Sequence, residues 1–457
     1  MLSQQEIDLL CRVGPGTAMG ALMRQYWLPV IYSWELEPDG EPQRVRVLGE
    51  NLIAYRDSNG APGFIGESCP HRGASLFFGR NEEAGLRCVY HGWKFDTTGA
   101  CVDMPNEPAE SNFKHKIKAT AYRAAEAGRL IWIYMGPRQD DPPGVPQWEW
   151  CTLPENQLQH GHKGVYECNW MQALEGELDS SHAPFLHSRL RAEDPGTYGG
   201  WTKDLTPRLE TVDTDQGVLY GARRVEDEDH YYWRTTQFVF PIYGMFPGGG
   251  DDGTVPLSIY MPIDDTHTLH MGLRYHPTQA LPGDGRPHHV PFKESGELVP
   301  GLGPNKPEQK GRMYSHWWTE ADKTNDFMLN RKAQRTVTYS GIGAGRLQDT
   351  AMIVSMGPIM DRTVEHLGTS DTTIIRVRRR LMQAAIALRD QGTVPPLVEK
   401  PEGYRVRSCM AILPKADSWT DRLRDWHYAV GFEHPTGGYK TPAPGVADHP
   451  AAVVWKS

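Results

Sequence analysis

Two short clusters constrain this chain more than anything else in it: CPH at residues 69–71 and CVYH at residues 88–91, with sixteen residues, 72–87, between them. Each supplies one thiolate and one imidazole, Cys69 with His71 and Cys88 with His91. Two sulfurs and two imidazoles in paired loops suit zinc, or a [2Fe–2S] cluster in which two histidines replace two cysteines on one iron. The common zinc-finger pattern takes both cysteines from one loop and both histidines from the other. Here each loop is mixed, which lets Cys69 and Cys88 hold one iron while His71 and His91 hold the other. Gly73, Gly92 and Gly99 permit the close backbone approach that cluster sulfides need. A zinc knuckle is the alternative, and it would be colourless where an iron–sulfur protein is red-brown.

The rest of the composition narrows the setting. With 457 residues, 39% of them hydrophobic, the chain can bury a sizeable core over two or three domains. A net charge of −9 argues against a nucleic-acid binder, whose phosphate affinity comes from clustered Lys and Arg. The start, MLSQQEIDLL, has no basic stretch followed by an apolar one, and no window approaches the roughly 20 apolar residues of a membrane helix. A cytoplasmic protein without a membrane partner is expected. The seven cysteines, Cys11, Cys69, Cys88, Cys101, Cys151, Cys168 and Cys409, are odd in number and lack an export signal, which argues against a disulfide framework.

From residue 45 to residue 134, short β-branched and aromatic runs alternate with Gly, Asn and Asp turns, the pattern of a small antiparallel β-domain. The breaker-rich stretch GPRQDDPPGVPQ, residues 136–147, reads as a linker, which divides the chain into residues 1–147 and 148–457. In the second part GVLYGARRVE, YYWRTTQFVFPIYGMF, VPLSIYMPI and TLHMGLRYH read as consecutive strands of one antiparallel sheet, and residues 381–391 as a helix stopped by Gly392 and Pro395. The class is α+β. The tail after Pro396 is expected to wrap the surface or an interface.

A second constellation lies in NWMQALEGELDSSHAPFLH, residues 169–187. Asp179 and His182, three apart, share a helix face. His187 lies five further on, about 140° round a straight helix, and converges with His182 only if Pro184 bends it. Two histidines and one carboxylate form the facial triad of oxygen-activating ferrous sites. The paired His160, His162, His288 and His289 stand in polar, Gly-rich or Pro-rich surroundings and read as exposed.

CPHRGASL followed by CVYHGWKFDTTGAC resembles the signature of Rieske domains in ring-hydroxylating oxygenases. Respiratory Rieske proteins carry an extra disulfide between their loops, and no cysteine here stands beside Cys69 or Cys88 to make one. Over roughly residues 10–400 the sequence is most similar to the phthalate dioxygenase branch, with RQYWLPV, the 169–187 stretch and SMGPIMDRTVEHLGTSD as the matching segments. The resemblance implies an N-terminal antiparallel β Rieske domain and a C-terminal helix-grip-like catalytic domain with an antiparallel sheet. It implies a [2Fe–2S] cluster on Cys69, His71, Cys88 and His91, and a mononuclear Fe(II) on His182, His187 and a downstream carboxylate. Asp349 is the best match within RLQDTAMIVSMGPIMDR, with Asp361 and Glu365 as fallbacks.

By the same resemblance Asp179 is not an iron ligand. It bridges His182 to His91 of a neighbouring subunit, as an electron conduit supported by Glu175 one turn earlier, and such bridging requires a ring, a trimer or stacked trimers. No GxGxxG opens a βαβ unit, so NAD(P)H oxidation is expected of a partner, which the resemblance makes a flavin and iron–sulfur reductase. The implied substrates are O2 and an aromatic carboxylate. A buried carboxylate calls for arginine, with Arg208 and Arg234 as candidates among several on neighbouring strands. The run Arg376, Arg378, Arg379, Arg380 could dock an acidic reductase or be a solvated face. Two other readings stay open: an O-demethylase acting on a methoxylated aromatic acid, and an electron-transfer Rieske protein without oxygenase chemistry.

Overall fold

The computed structural model describes residues 1–432 apart from 109, 189, 191–203, 248–252, 284, 287–312, 315–316 and 344. The expected α+β class holds. A six-stranded antiparallel sheet runs in the order Trp27–Tyr32, Leu130–Tyr134, Ala121–Ala127, Pro62–Gly66, Glu50–Arg56, Gln43–Val47. A smaller sheet of Arg80–Glu82, Gly85–Arg87, Lys94–Phe95 and Cys101–Asp103 carries the two CxH-type loops. It closes over its own core of Ile53, Leu76, Leu86, Trp93 and Phe95, among others.

The second unit is built on an eight-stranded antiparallel sheet. Its path is Leu158–Tyr166, Thr268–Tyr275, Val255–Pro262, Tyr243–Met245, His230–Val239, Gly217–Val225, Arg208–Asp213, and Cys409–Pro414 also pairs with His230–Val239. The four stretches expected to be consecutive strands all lie in it. YYWRTTQFVFPIYGMF is two strands rather than one, because the ladder stops at residues 240–242, where Pro241 has no N–H to donate. The helices Trp170–Leu178 and Gly345–Ser355 pack against each other, the first also resting on strand Val255–Pro262.

The long helix begins at Thr372, not at residue 381, and ends at Gln391 where Gly392 takes the left-handed φ of 66° and its N–H bonds Leu388 O. The helices Gln4–Cys11 and Ala18–Arg24 pack on it. The first two helices, which the sequence reading grouped with the β-domain, thus lean on the other unit. Residues 136–147 form no helix or strand, yet are pinned: Trp27 Nε1 donates to Pro143 O (2.7 Å) and Gln147 N to Pro401 O (2.8 Å).

Candidate metal centres and active site

The two cysteine loops repeat one backbone design. Cys69 N donates to Ala74 O (2.8 Å) and Gly73 N to Cys69 O (2.9 Å); Cys88 N donates to Trp93 O (2.8 Å) and Gly92 N to Cys88 O (2.9 Å). Gly73 and Gly92 both sit at positive φ, 77° and 79°. The loops bring the His71 and His91 rings to 4.5 Å between centroids, with His71 stacked on Trp93. Both cysteines are buried, and burial with the neighbouring Cys88 thiol pushes Cys69 up to about 11. His71 Nδ1 is buried without a protein partner. A buried thiol pair and an unpartnered ring nitrogen are what a metal group would satisfy.

Gly73 and Gly92 differ in one respect that can be tested. A Cβ at Gly73 meets nothing within 4 Å, whereas at Gly92 it lies 2.6 Å from Pro105 Cγ. Gly73→Ala costs only the left-handed strain of about 1 to 2 kcal/mol. Gly92→Ala must also displace the proline ring, and is expected to lose more of the cluster absorbance after purification.

The second centre forms where two short helices meet. The helix Trp170–Leu178 ends with Asp179 as its extended C-cap residue (φ −84°, ψ 118°), so Asp179 and His182 do not share a helix. A separate turn, Ala183–Leu186, starts with His182 as N-cap and Pro184 in its first positions, and ends on His187. The bend assigned to Pro184 is a complete break, and the proline starts a helix, where its missing N–H costs nothing. The two rings come within 5.2 Å of each other.

Asp349, on Gly345–Ser355, closes the group. Its Oδ1 lies 3.0 Å from His187 Nε2 and 3.5 Å from His182 Nε2. Among the described residues only this trio brings three metal-ligating atoms within 4.8 Å of one another. Behind His182, Asp179 Oδ2 faces Nδ1 at 3.5 Å while its Oδ1 accepts from Ser181 N (2.6 Å). Burial alone would lower the His182 pKa, but hydrogen bonds to Asp179 and Asp349 outweigh it and raise it to about 9. Burial would raise Asp349, but hydrogen bonds from His182 and His187 hold it well below the usual carboxylate range. The donor set attracts positive charge and fits a ferrous ion.

The trio forms one wall of a cavity of about 150 Å³, roughly the volume that accepts a single benzene ring. Tyr166, Phe246, Tyr260 and Ile353 give it apolar and aromatic surface, and Arg234 and Glu177 add charge.

Residues 26–119 match the family model described as a Rieske [2Fe-2S] domain, and residues 133–289 and 310–430 that described as LigXa C-terminal domain like. Over 431 residues the chain is 39% identical to the 3-chlorobenzoate-3,4-dioxygenase oxygenase subunit of Comamonas testosteroni, covering 92% of this chain and 96% of that one. The chain belongs to the Rieske non-haem iron oxygenases. This oxygenase subunit is also 36% identical to the phthalate 4,5-dioxygenase oxygenase subunit of Pseudomonas putida, across 94% of its own length and 97% of the relative's. It is 33% identical to the 5,5'-dehydrodivanillate O-demethylase oxygenase subunit of a Sphingobium strain, across 84% and 80%. It shares its fold with the solved structure of NdmA from Pseudomonas putida CBB5 with caffeine: TM-score 0.57 and 19% identity over 84% of this chain and 96% of that one. No helix among the described residues is long and apolar enough to cross a membrane.

Several sequence-derived residues of this oxygenase fall elsewhere than expected. Glu175 does not support Asp179: its carboxylate is taken by Arg362 Nη2 (3.0 Å) and Arg378 Nε (2.6 Å). Of the fallback carboxylates, Asp361 caps Thr363 and Glu365 pairs with Arg378, which leaves Asp349. Arg234 is buried and lines the cavity; Arg208 is exposed, opposite Arg223 in the neighbouring strand, and does not line it. His160, read as exposed, is buried against Tyr32 and Trp34 with Nε2 3.0 Å from Gly128 O, while His288 and His289 lie outside the described residues.

Sequence reading missed several residues at the site, Glu177 and Gln348 among them. Glu177 lies in the cavity wall, where Oε2 accepts from Tyr260 OH (2.7 Å) and Arg346 Nη1 (3.3 Å). A Cβ on Gly244 would stand 2.7 Å from Glu177 Cγ, so that glycine makes its room. Gln348 meets His187 from behind, with Oε1 2.6 Å from Nδ1. Neither has a local signal, because both contacts join segments far apart in sequence.

Proposed function

We propose that this chain is the cytoplasmic terminal oxygenase of a multicomponent system that draws electrons from NAD(P)H through a flavin and iron–sulfur reductase and hydroxylates an aromatic carboxylate of the benzoate or phthalate type. The observation that carries it is the convergence of His182, His187 and Asp349 on the wall of a ring-sized cavity, with Asp179 behind His182. Residues 1–147 would hold the cluster through Cys69, His71, Cys88 and His91, and residues 148–457 the ferrous ion through His182, His187 and Asp349. When bound, the cluster supplies single electrons and the ferrous ion supplies activation of dioxygen.

The chain's own groups do the rest. Arg234 pairs with the substrate carboxylate and sets which ring atom faces the trio. Tyr166, Phe246 and Ile353 hold the ring and exclude water. Asp179 fixes the His182 ring through Nδ1. In a ring of subunits, a trimer or stacked trimers, the same carboxylate reaches His91 of the neighbouring subunit. Exposed apolar side chains flank both ends of that joint, Val89 and Tyr90 beside His91 and Phe185 beside His182, as surfaces meant for burial would.

Asp179→Asn separates this role from simple folding. It keeps the shape but loses the charge, and it is expected to slow product formation roughly 10- to 100-fold while iron content and cluster absorbance stay unchanged. Substrate-dependent reoxidation of the cluster in a single turnover should slow in step; reoxidation at the parent rate refutes the bridge. A reductase-coupled product assay over benzoates, phthalates and methoxybenzoates fixes the substrate. The O-demethylase relative makes formaldehyde release from a methoxybenzoate the result that would select the second reading.

A further inference from the structure

Gln348 stands immediately before Asp349 and is buried, 5% exposed. Its Nε2 donates to Ile342 O (2.9 Å) and its Oε1 lies 2.6 Å from His187 Nδ1. The first bond decides which way the amide faces, since a backbone carbonyl only accepts and therefore claims the nitrogen. The oxygen is left toward His187, where it accepts Nδ1–H. With the proton on Nδ1, Nε2 keeps its lone pair for an ion shared with Asp349, whose Oδ1 lies 3.0 Å from it.

We infer that Gln348 is the positioning residue for His187, fixing its tautomer and ring angle so that Nε2 is offered to the ferrous ion. The inference rests on the reading of His182, His187 and Asp349 as the holders of that ion. Gln348 and Asp349 are joined by one peptide bond on the helix Gly345–Ser355, so one stretch of backbone supplies one donor and orients another. The two histidines are held differently: His182 by the carboxylate of Asp179, His187 by a neutral amide that does not titrate.

The test compares the parent with Gln348→Met and Gln348→Glu, each purified with its cluster loaded, stripped of mononuclear iron and titrated with Fe(II) against a chelator. Methionine keeps the length of the side chain but offers His187 only a weak acceptor. Glutamate keeps an acceptor opposite His187 and, when ionised, loses the donor to Ile342 O. Gln348→Met is expected to weaken Fe(II) binding 10- to 100-fold at unchanged cluster absorbance and melting midpoint, with Gln348→Glu close to the parent. Parent-like affinity in Gln348→Met overturns the inference. So does Gln348→Glu binding far below the parent, since the bond to Ile342 would then be what matters; this variant decides alone if the methionine variant does not fold. A parent that takes up no iron beyond its cluster overturns the reading of the trio and the inference together, whereas equal uptake by parent and Gln348→Met overturns the inference only.

Discussion

His187→Ala and Asp349→Ala should each yield a red-brown protein that makes no product. Iron is expected to fall from about three atoms per chain to about two, the two of the cluster. The trio has no spare donor: among the described residues no other group offers three ligating atoms within 4.8 Å, so removing one leaves two atoms and an open side. Loss of Asp349 has a further cost, because it is the one carboxylate that faces both Nε2 atoms and offsets the charge an ion brings. Cluster colour is the internal control, since the cysteine loops close over a separate core and should not register a change at residue 187 or 349. Iron analysis beside the visible spectrum checks it. Parent and variants at the same two irons, with product formed only by the parent, would refute the trio as the metal site. Two irons in the parent with no product at all would instead support a plain electron carrier.

What could be read from the sequence was what is local. The cysteine loops were legible because four ligands and their turn glycines lie within about two dozen residues, and the structure gives the loops matching backbone bonds. His182 and His187 were legible as a pair, but not the break between Asp179 and His182. A hydrophobic pattern continues across a helix end, and the cap that stops this one is a backbone conformation at Asp179 rather than a Gly or Pro signal. The third donor came from resemblance, since nothing in the spacing of RLQDTAMIVSMGPIMDR prefers Asp349 over Asp361. Gln348 and Glu177 were invisible because neutral or paired polar residues gain their meaning only from what stands opposite. Arg208 and Arg234 looked equivalent on one sheet. Sheet order separates them: Arg208 is on the outermost strand, whereas Arg234 is on a strand buried along most of its length.

The basic run shows the same limit. Read as letters, Arg376, Arg378 and Arg380 look like one charged face, but on a helix residues two apart point about 200° from each other, while 376 and 380 lie within about 40°. Arg376 pairs with Asp213 at the surface, and Arg380 donates to Thr214 O (2.8 Å). Arg378 turns the opposite way, into the core, where it joins Glu175 and Glu365, and Arg362 completes the group. Their side chains are at most 9% exposed. Arg378→Met would leave Glu365 without this cation and Glu175 with only one of its two, and removing one member of such a buried group costs about 3–5 kcal/mol. Arg376→Met, at a half-exposed pair, should stay close to the parent. The pH dependence follows from Glu175. Burial would raise its pKa, but Arg362 and Arg378 outweigh that and hold it below the usual carboxylate value, so the stabilisation is present above that value and is lost as pH falls through the lowered one. Urea unfolding of both variants at neutral and acid pH measures the effect. Arg378→Met should be the far less stable at neutral pH, with the gap narrowing in acid as the stranded carboxylates take up protons. Adding Glu365→Gln to Arg378→Met should recover part of the loss at neutral pH, because it removes the charge the arginine was compensating. Equal stability of the two single variants would mean that this buried group does not hold the long helix and the helix Trp170–Leu178 together.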